Sequence, residues 1–233
     1  MRLISLILLF LLSGTVSAQK VEWYTTTQTS PWVKQKVKPE RVTTGAEIVL
    51  DPTLRLQLIM GIGGCFNEMG WDALNALSAE DREAVLQAIF SKDGACFNYC
   101  RLPMGANDFA LSFYSSADVA GDFNLVNFNI DRDRYILIPY IKAARQINPD
   151  LRIWASPWCP PAWMKTNNHY ASAVRPSGEK DVNGLLPREA ITEFSTGFRM
   201  EEGYLKTYAD YFARFIKAYE AEGLPLELSL IHI

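Results

Sequence analysis

The sequence predicts an α/β fold, the first half of a (β/α)8 barrel preceded by short strands. Two observations support this prediction. From residue 57 onward, short apolar runs typical of buried strands alternate with longer amphipathic segments typical of helices. Such alternation indicates a parallel sheet with right-handed crossovers. Polar and aromatic residues follow the apolar runs, at the strand ends where barrels carry their functional loops.

The N-terminus has the organisation of a secretory signal peptide. Arg2 gives a positive start, residues 3–12 form an apolar run, and residues 16–18, Val-Ser-Ala, form a cleavage site of small residues. The apolar run is much shorter than the roughly 20 residues that a membrane-spanning helix needs. We therefore expect residues 1–18 to be a cleaved signal peptide and the protein to be secreted or periplasmic. An uncleaved anchor or a buried helix is the alternative.

Composition limits the function classes. The chain has 233 residues, of which 48% are hydrophobic and 21% charged, which is typical of a globular domain with a sizeable core. The net charge is -3 and there is no long basic run, so we expect no nucleic-acid partner. The four cysteines contain no Cys-x-x-Cys pair and there are only two histidines. Because no zinc spacing exists, we expect neither a metal nor a cofactor.

The pattern changes between residues 56 and 57. Residues 19–56 contain short valine- and threonine-rich pieces divided by prolines, which predict short strands. Residues 57–233 form the barrel segment. Four barrel strands are predicted there, at about 56–64, 96–105, 151–156 and 226–231. We expect the chain to end inside the fourth of them.

Three helices are predicted between these strands. The first is capped by Ser78 and runs to about Phe90, with acidic residues in its first turn. The second spans residues 131–148 and ends before Pro149. The third spans about 202–222 and has apolar residues on one face.

A dinucleotide-binding fold is the alternative for a chain of alternating strands and helices. Glycines of the stretch GIGGCFNEMG, residues 61–70, follow the first predicted strand, as that fold requires. However, Phe66 to Met69 occupy the place of the phosphate-binding turn, and the next predicted helix begins only at Ser78. The barrel therefore agrees better with the sequence.

Candidate functional residues follow the first three barrel strands. They are Asn67, Glu68, Arg101, Asn107, Asp108, Phe109, Trp158, Trp163 and Lys165. We expect them to converge on one end of the sheet. Arg101, on a barrel strand, needs a carboxylate partner because an unpaired buried charge is costly. Asp108 and a tryptophan together suit a sugar, since a carboxylate accepts from hydroxyls and an indole stacks on the apolar face of the ring.

Each of these residues also has a structural interpretation. Asp108 could cap a turn, because Asn-Asp sequences often do so. Trp158 and Trp163 could be packing residues at the rim of the sheet, and Arg101 could be purely structural. The placement of all four at successive strand ends favours the functional interpretation.

Four motifs, in order, resemble glycoside hydrolase family 30, the glucosylceramidase family. They are GIGGCFNEMGWDALNAL, RLPMGANDF, WASPWCPPAWMKTN and YLKTYADYFARFIKAYEAEGL, within residues 61–226. The resemblance implies a (β/α)8 barrel joined to a side β-sandwich, to which residues 19–56 contribute strands. It also implies that Arg101, Asp108 and Trp158 surround the sugar and that Phe109 shapes the pocket wall. The Asn67-Glu68 pair departs from the threonine–aspartate common in the family.

The resemblance implies retaining hydrolysis of β-linked glucosides or glucans by two glutamates. The family places the acid/base glutamate in an Asn-Glu-Pro motif at the end of the fourth strand and the nucleophile on the seventh, and this sequence has no Asn-Glu-Pro. We therefore expect no catalytic residue in this chain, both glutamates lying beyond its end, and an inactive fragment. Glu227 begins the fourth strand, so we expect it at the opposite end from the chemistry. Glu68 and Asp108 remain as a possible carboxylate pair.

The expected activity is that of a glucosylceramidase or β-glucosidase. The alternatives are a β-1,6-glucanase of the same family and a truncation that binds sugar without hydrolysing it. The last six residues, 228–233, match the translation of a sequencing-library adapter. We therefore expect the natural sequence to continue differently after Glu227.

Overall fold

The computed structural model describes residues 21–38, 45, 51, 53–174, 183–192, 195 and 197–228. The predicted signal peptide and the terminal residues 229–233 lie outside them. The chain divides into two compact units, Met1–Leu56 and Gln57–Ile233. No helix in the described part of the chain is both long and apolar enough to cross a membrane.

The described part of the first unit contains one antiparallel strand pair. Strand β1 is Trp23–Thr25 and β2 is Val33–Gln35, with Trp23 opposite Gln35. Tyr24 stacks on Trp32 with a ring-centroid distance of 5.3 Å. Short strands were predicted here, whereas their membership of a side β-sandwich stays a prediction.

The second unit is built on a parallel sheet. Its strands are β3 (Tyr99–Met104), β4 (Arg152–Pro157) and β5 (Glu227–Leu228), in that spatial order. All pairs are parallel, which confirms the predicted α/β class. The described strands do not close a barrel.

The first predicted barrel strand is shorter than expected and lies later in the sequence. Residues 62–66 run beside β3: Gly64 O accepts a hydrogen bond of 2.8 Å from Arg101 N, and Phe66 N donates one of 2.9 Å to Arg101 O. A side chain at Gly63 would overlap the carbonyl of Tyr99, so only glycine permits this close approach. Residues 56–61 are not a strand, and the apolar side chains among them remain exposed.

Two of the three predicted helices were placed correctly. Helix α2 (Ala79–Phe90) follows Ser78, whose side chain accepts a hydrogen bond from Asp81 N. Helix α5 is Glu202–Ala221. The predicted helix 131–148 is split at Ile136 into α3 (Asp131–Tyr135) and α4 (Leu137–Ile147).

The physical reason for the split is Pro139. It lacks an N–H group, and its ring excludes a continuous helix over the preceding turn, while it suits the first turn of a new helix.

The sequence prediction missed helix α1, Glu68–Asn75. Asn67 is its N-cap, and the Asn67 side chain accepts a hydrogen bond of 2.7 Å from Gly70 N. Asn67 and Glu68 therefore belong to a helix start rather than to an open loop.

The helices cover only one face of the sheet. The side chains of Cys100, Leu102, Ile153 and Ala155 are buried in the core with those of α2, α4 and α5. Because side chains alternate along a strand, Arg101, Trp154 and Ser156 lie on the opposite face. The polar face that the helices leave uncovered carries the candidate site.

Candidate sugar-binding site

Arg101 is held by its neighbours on β4. Its Nε donates a hydrogen bond of 2.6 Å to Ser156 Oγ. Its guanidinium group lies over the rings of Trp154 and Trp158, at 5.2 Å and 4.7 Å from the ring centroids. Such contacts are favourable because the ring face carries partial negative charge.

The expected carboxylate partner of Arg101 is not found. Within the described residues Arg101 forms no ion pair, and a hydroxyl and two indole rings hold its guanidinium group instead. The arginine side chain is partly exposed, so water can solvate its charge. Charge on this face of the sheet is therefore available to a ligand.

Trp158 lies at the carboxyl end of β4, one residue beyond the strand. It is 39% exposed, unlike Trp163, which is 8% exposed. An indole held by a cation on one side and open to solvent elsewhere is suited to stack on a sugar ring. Its exposure leaves the stacking role of Trp158 as a prediction.

Asp108 lies in a closed loop formed by residues 106–114. Ala106 N donates a hydrogen bond of 3.0 Å to Tyr114 O, which joins the two ends of the loop. Gly105 precedes it with φ of +80°, a conformation that favours glycine. The hydroxyl of Tyr170 donates a hydrogen bond to Ala106 O and ties the loop to the segment after β4.

Asp108 does not cap the turn in which it lies. Asn107 does so, since its Oδ1 accepts a hydrogen bond of 3.0 Å from Phe109 N. The Asp108 side chain is exposed, and no described residue donates a hydrogen bond to it. Burial raises the pKa of Tyr170, and smaller contributions come from Cys159 and from the Asp108 carboxylate. Its acceptor oxygens are therefore free to bind hydroxyl groups.

Aromatic side chains surround this loop. Phe109 is 57% exposed. Phe113 stacks on Tyr170 with centroids 4.6 Å apart, and its ring meets that of His169 edge-on at 5.9 Å. The rings of Phe113, His169 and Tyr170 line a groove between the loop of residues 106–114 and the segment after β4, and Phe109 is not part of its lining.

Trp163 and Lys165 are not at the open face, which corrects the expectation that they converge with Trp158. Trp163 Nε1 donates a hydrogen bond of 2.8 Å to Ala117 O. Lys165 is buried, and its Nζ donates to Tyr170 O at 2.7 Å and to Ser172 Oγ at 3.0 Å. Burial lowers the pKa of Lys165. Both side chains stabilise the segment that carries Trp158 and Tyr170.

Glu68 is buried and paired with Arg132. Arg132 Nε donates to Glu68 Oε1 and Arg132 Nη2 to Glu68 Oε2, both at 2.7 Å. Glu68 Oε2 also accepts a hydrogen bond of 2.7 Å from Leu111 N. Because both carboxylate oxygens are occupied by Arg132 and Leu111, Glu68 is not suited to act with Asp108 as a catalytic pair.

Glu227 lies at the opposite end of the strands. It is aligned with Trp154 at the start of β5 and accepts hydrogen bonds from Tyr99 Oη at 3.0 Å and Arg152 Nε at 2.7 Å. Tyr99 and Arg152 are themselves the first residues of β3 and β4. This confirms the predicted position of Glu227 at the amino end of its strand, whereas its lack of a catalytic role stays a prediction.

The site combines a partly exposed indole just beyond β4, a carboxylate with no hydrogen-bond partner among the described residues in the loop after β3, and an arginine within β3 whose guanidinium lies over the indole. In an α/β protein, these residue types are suited to contact a carbohydrate. A family model described as the glycosyl hydrolase family 30 TIM-barrel domain matches residues 59–184, more than half of the chain. The chain therefore belongs to glycosyl hydrolase family 30.

Individual relatives agree with this assignment. The chain is 30% identical to putative glucosylceramidase 4 of Caenorhabditis elegans over 91% of its own length and 38% of the relative's. It is 27% identical to an endo-1,6-beta-D-glucanase of Neurospora crassa, covering 76% of this chain and 33% of that protein. The crystal structure of SrfJ from Salmonella typhimurium is similar, with a TM-score of 0.66 and 27% identity over 85% of this chain and 40% of the other. The chain spans between 30% and 38% of the length of such curated relatives.

Proposed function

We propose that this chain provides the sugar-binding residues of a retaining β-glycosidase that acts on β-linked glucosides, as glucosylceramidases do. The observation that carries the proposal is the Asp108 carboxylate, which has no hydrogen-bond partner among the described residues, in the loop that follows β3. Arg101 of the same strand lies over the ring of Trp158 at the end of β4. In this proposal Asp108 accepts hydrogen bonds from sugar hydroxyls, Trp158 packs against the apolar ring face, and Phe109 forms the pocket wall.

The proposal assigns neither step of the chemistry to a described glutamate. Retaining hydrolysis needs a proton donor and a nucleophile about 5 Å apart across the glycosidic bond. Glu68 is committed to Arg132, and Glu227 lies at the amino end of its strand. We therefore propose that this chain binds a glucoside without hydrolysing it. We further propose that it needs no metal or cofactor and that it is secreted or periplasmic.

A β-1,6-glucanase is the second candidate. Its support is the similarity to a fungal endo-1,6-glucanase together with a groove lined by Phe113 and Tyr170, beside the loop that carries Asp108. A polymer needs room on both sides of the cleaved bond, whereas a terminal glucoside needs only a pocket.

The test is a binding titration of the 233-residue chain with phenyl β-D-glucoside, with the α-anomer as matched control. Binding of the β-anomer that is at least tenfold tighter supports the proposal, and equal binding of both or of neither overturns it. Titration with a β-1,6-linked glucose trimer separates the candidates: clearly tighter binding of the trimer than of phenyl β-D-glucoside favours the glucanase.

A further inference from the structure

The loop of residues 106–114 cannot hold its own position through Asp108, because that side chain has no hydrogen-bond partner among the described residues. The hydrogen bond between Ala106 N and Tyr114 O joins only the ends of the loop. Its tip carries both Asp108 and Phe109. Whatever fixes the tip therefore decides where the free carboxylate lies.

Contacts from residues outside the loop hold three of its residues in place. Phe109 O accepts a hydrogen bond of 3.0 Å from Met69 N in the first turn of α1. Leu111 N donates one of 2.7 Å to Glu68 Oε2. Ser112 accepts from Arg132 twice, at 2.8 Å through its Oγ and at 3.3 Å through its carbonyl oxygen.

The two residues that make the side-chain contacts also hold each other. Arg132 and Glu68 form a bidentate pair, in which the carboxylate is 2% exposed and the arginine side chain 30% exposed. Arg132 in turn lies 4.1 Å from the ring centroid of Tyr114, the last residue of the loop. A planar guanidinium can make these contacts at once, which a lysine cannot.

We infer that Glu68 and Arg132 are positioning residues that hold Asp108 and Phe109 at the sugar site. This inference rests on the proposed function for its ligand, although the contacts themselves do not depend on it. The pair joins α1 and α3 to the loop, so the position of the loop that carries Asp108 is fixed by two helices.

The experiment compares Arg132→Lys with Arg134→Lys in the 233-residue chain. Arg134 is the matched control because it lies on the same helix and pairs with Asp131 and Glu222, away from the loop. The readouts are amide hydrogen exchange at Leu111, exchange at Ala155 in the core of the sheet, and affinity for phenyl β-D-glucoside. We expect Arg132→Lys to speed exchange at Leu111 and to weaken binding, each by about tenfold, with exchange at Ala155 unchanged. Arg134→Lys should change none of the three.

The outcomes separate this inference from the proposed function. If the unaltered chain binds no glucoside, the proposed function fails, and exchange at Leu111 still decides whether the pair fixes the loop. If the chain binds and Arg132→Lys leaves affinity unchanged, the positioning role is wrong even where exchange rises. Faster exchange at Ala155 as well would mean that the variant unfolds the sheet. Ser112→Ala, which removes only one acceptor of Arg132, then repeats the test, and unchanged exchange and affinity in it would overturn the inference.

Discussion

The carboxylate of Asp133 on α3 accepts a hydrogen bond of 2.7 Å from the hydroxyl of Tyr219 on α5. Its second oxygen accepts one of 2.8 Å from the hydroxyl of Tyr114, the last residue of the loop of residues 106–114. Asp133 is 1% exposed, and the charged groups that face it are Arg132 and Glu68. One buried acid therefore connects two helices and the loop.

This acid makes stability depend on pH. Burial raises the pKa of Asp133 from 3.8 to about 6, despite the opposing effect of the two tyrosine hydroxyls. The folded state therefore binds the proton more tightly than the unfolded state, so stability from this group is greatest below pH 4 and falls as pH rises through 6. The loss at pH 7 amounts to about 1–3 kcal/mol.

Asp133→Asn tests this linkage. The variant should lose the fall in stability between pH 4 and pH 7, because the amide does not titrate. Urea unfolding of both chains at pH 4.5 and pH 7 measures the effect, and the comparison cancels the opposite contribution of exposed acids such as Glu222, whose pKa is lowered by Arg134 and Lys142. Parallel pH profiles for the two chains would contradict the role of Asp133.

Asp108→Asn and Asp118→Asn should change different properties: the first should lower the affinity for a glucoside, and the second should lower stability. Asp118 accepts hydrogen bonds from Ser115 N at 3.0 Å and Ser115 Oγ at 2.6 Å, so its replacement loosens the loop that follows the site. Asp108 makes no such contacts among the described residues. We expect Asp108→Asn to weaken binding of phenyl β-D-glucoside by about tenfold without lowering the urea midpoint. A lowered midpoint for Asp108→Asn with unchanged affinity would show a structural role instead.

Trp158 and Trp163 form a second matched pair. Trp158→Ala should abolish most glucoside binding and leave stability nearly unchanged, since that indole is partly exposed. Trp163→Ala removes a buried ring and its hydrogen bond to Ala117, so we expect it to lower the free energy of unfolding by about 3–5 kcal/mol. Binding titrations and urea unfolding of the two variants measure both effects. Retention of full affinity by Trp158→Ala would exclude stacking on that ring.

The sequence predicted the parallel sheet and most helices because their patterns are local. It also contained a signal for two site residues that the prediction missed. Trp154 and Ser156 alternate in the third barrel strand, which places them on one face beside Arg101, and Trp158 continues the same alternation just beyond the strand. Reading that alternation would have replaced the expected carboxylate partner with Ser156 and two indoles.

Other features could not be read from local pattern. Trp163 and Lys165 lie close to Trp158 in sequence, but a short 3-10 turn at Ala162–Met164 redirects the chain and buries both side chains. The pairing of Glu68 with Arg132 joins residues 64 positions apart. Such a contact depends on how α1 and α3 pack, which no spacing within either segment indicates.

Gly63→Ala tests whether the close approach of residues 62–66 to β3 fixes the site. A methyl group there would overlap the Tyr99 carbonyl and meet the sulfur of Cys100, so β3 or its neighbour must move. We expect a loss of about 1–3 kcal/mol in stability, as for other overpacked sites. Because Arg101 is hydrogen-bonded through its backbone to Gly64 and Phe66, the same shift should weaken glucoside binding.

Gly203→Ala is the control, since its methyl group would meet only Phe123 at ordinary contact distance and should stabilise α5 slightly. Urea unfolding and glucoside titration of both variants measure these effects, and a Gly63→Ala chain as stable as the original would show that β3 does not depend on this contact.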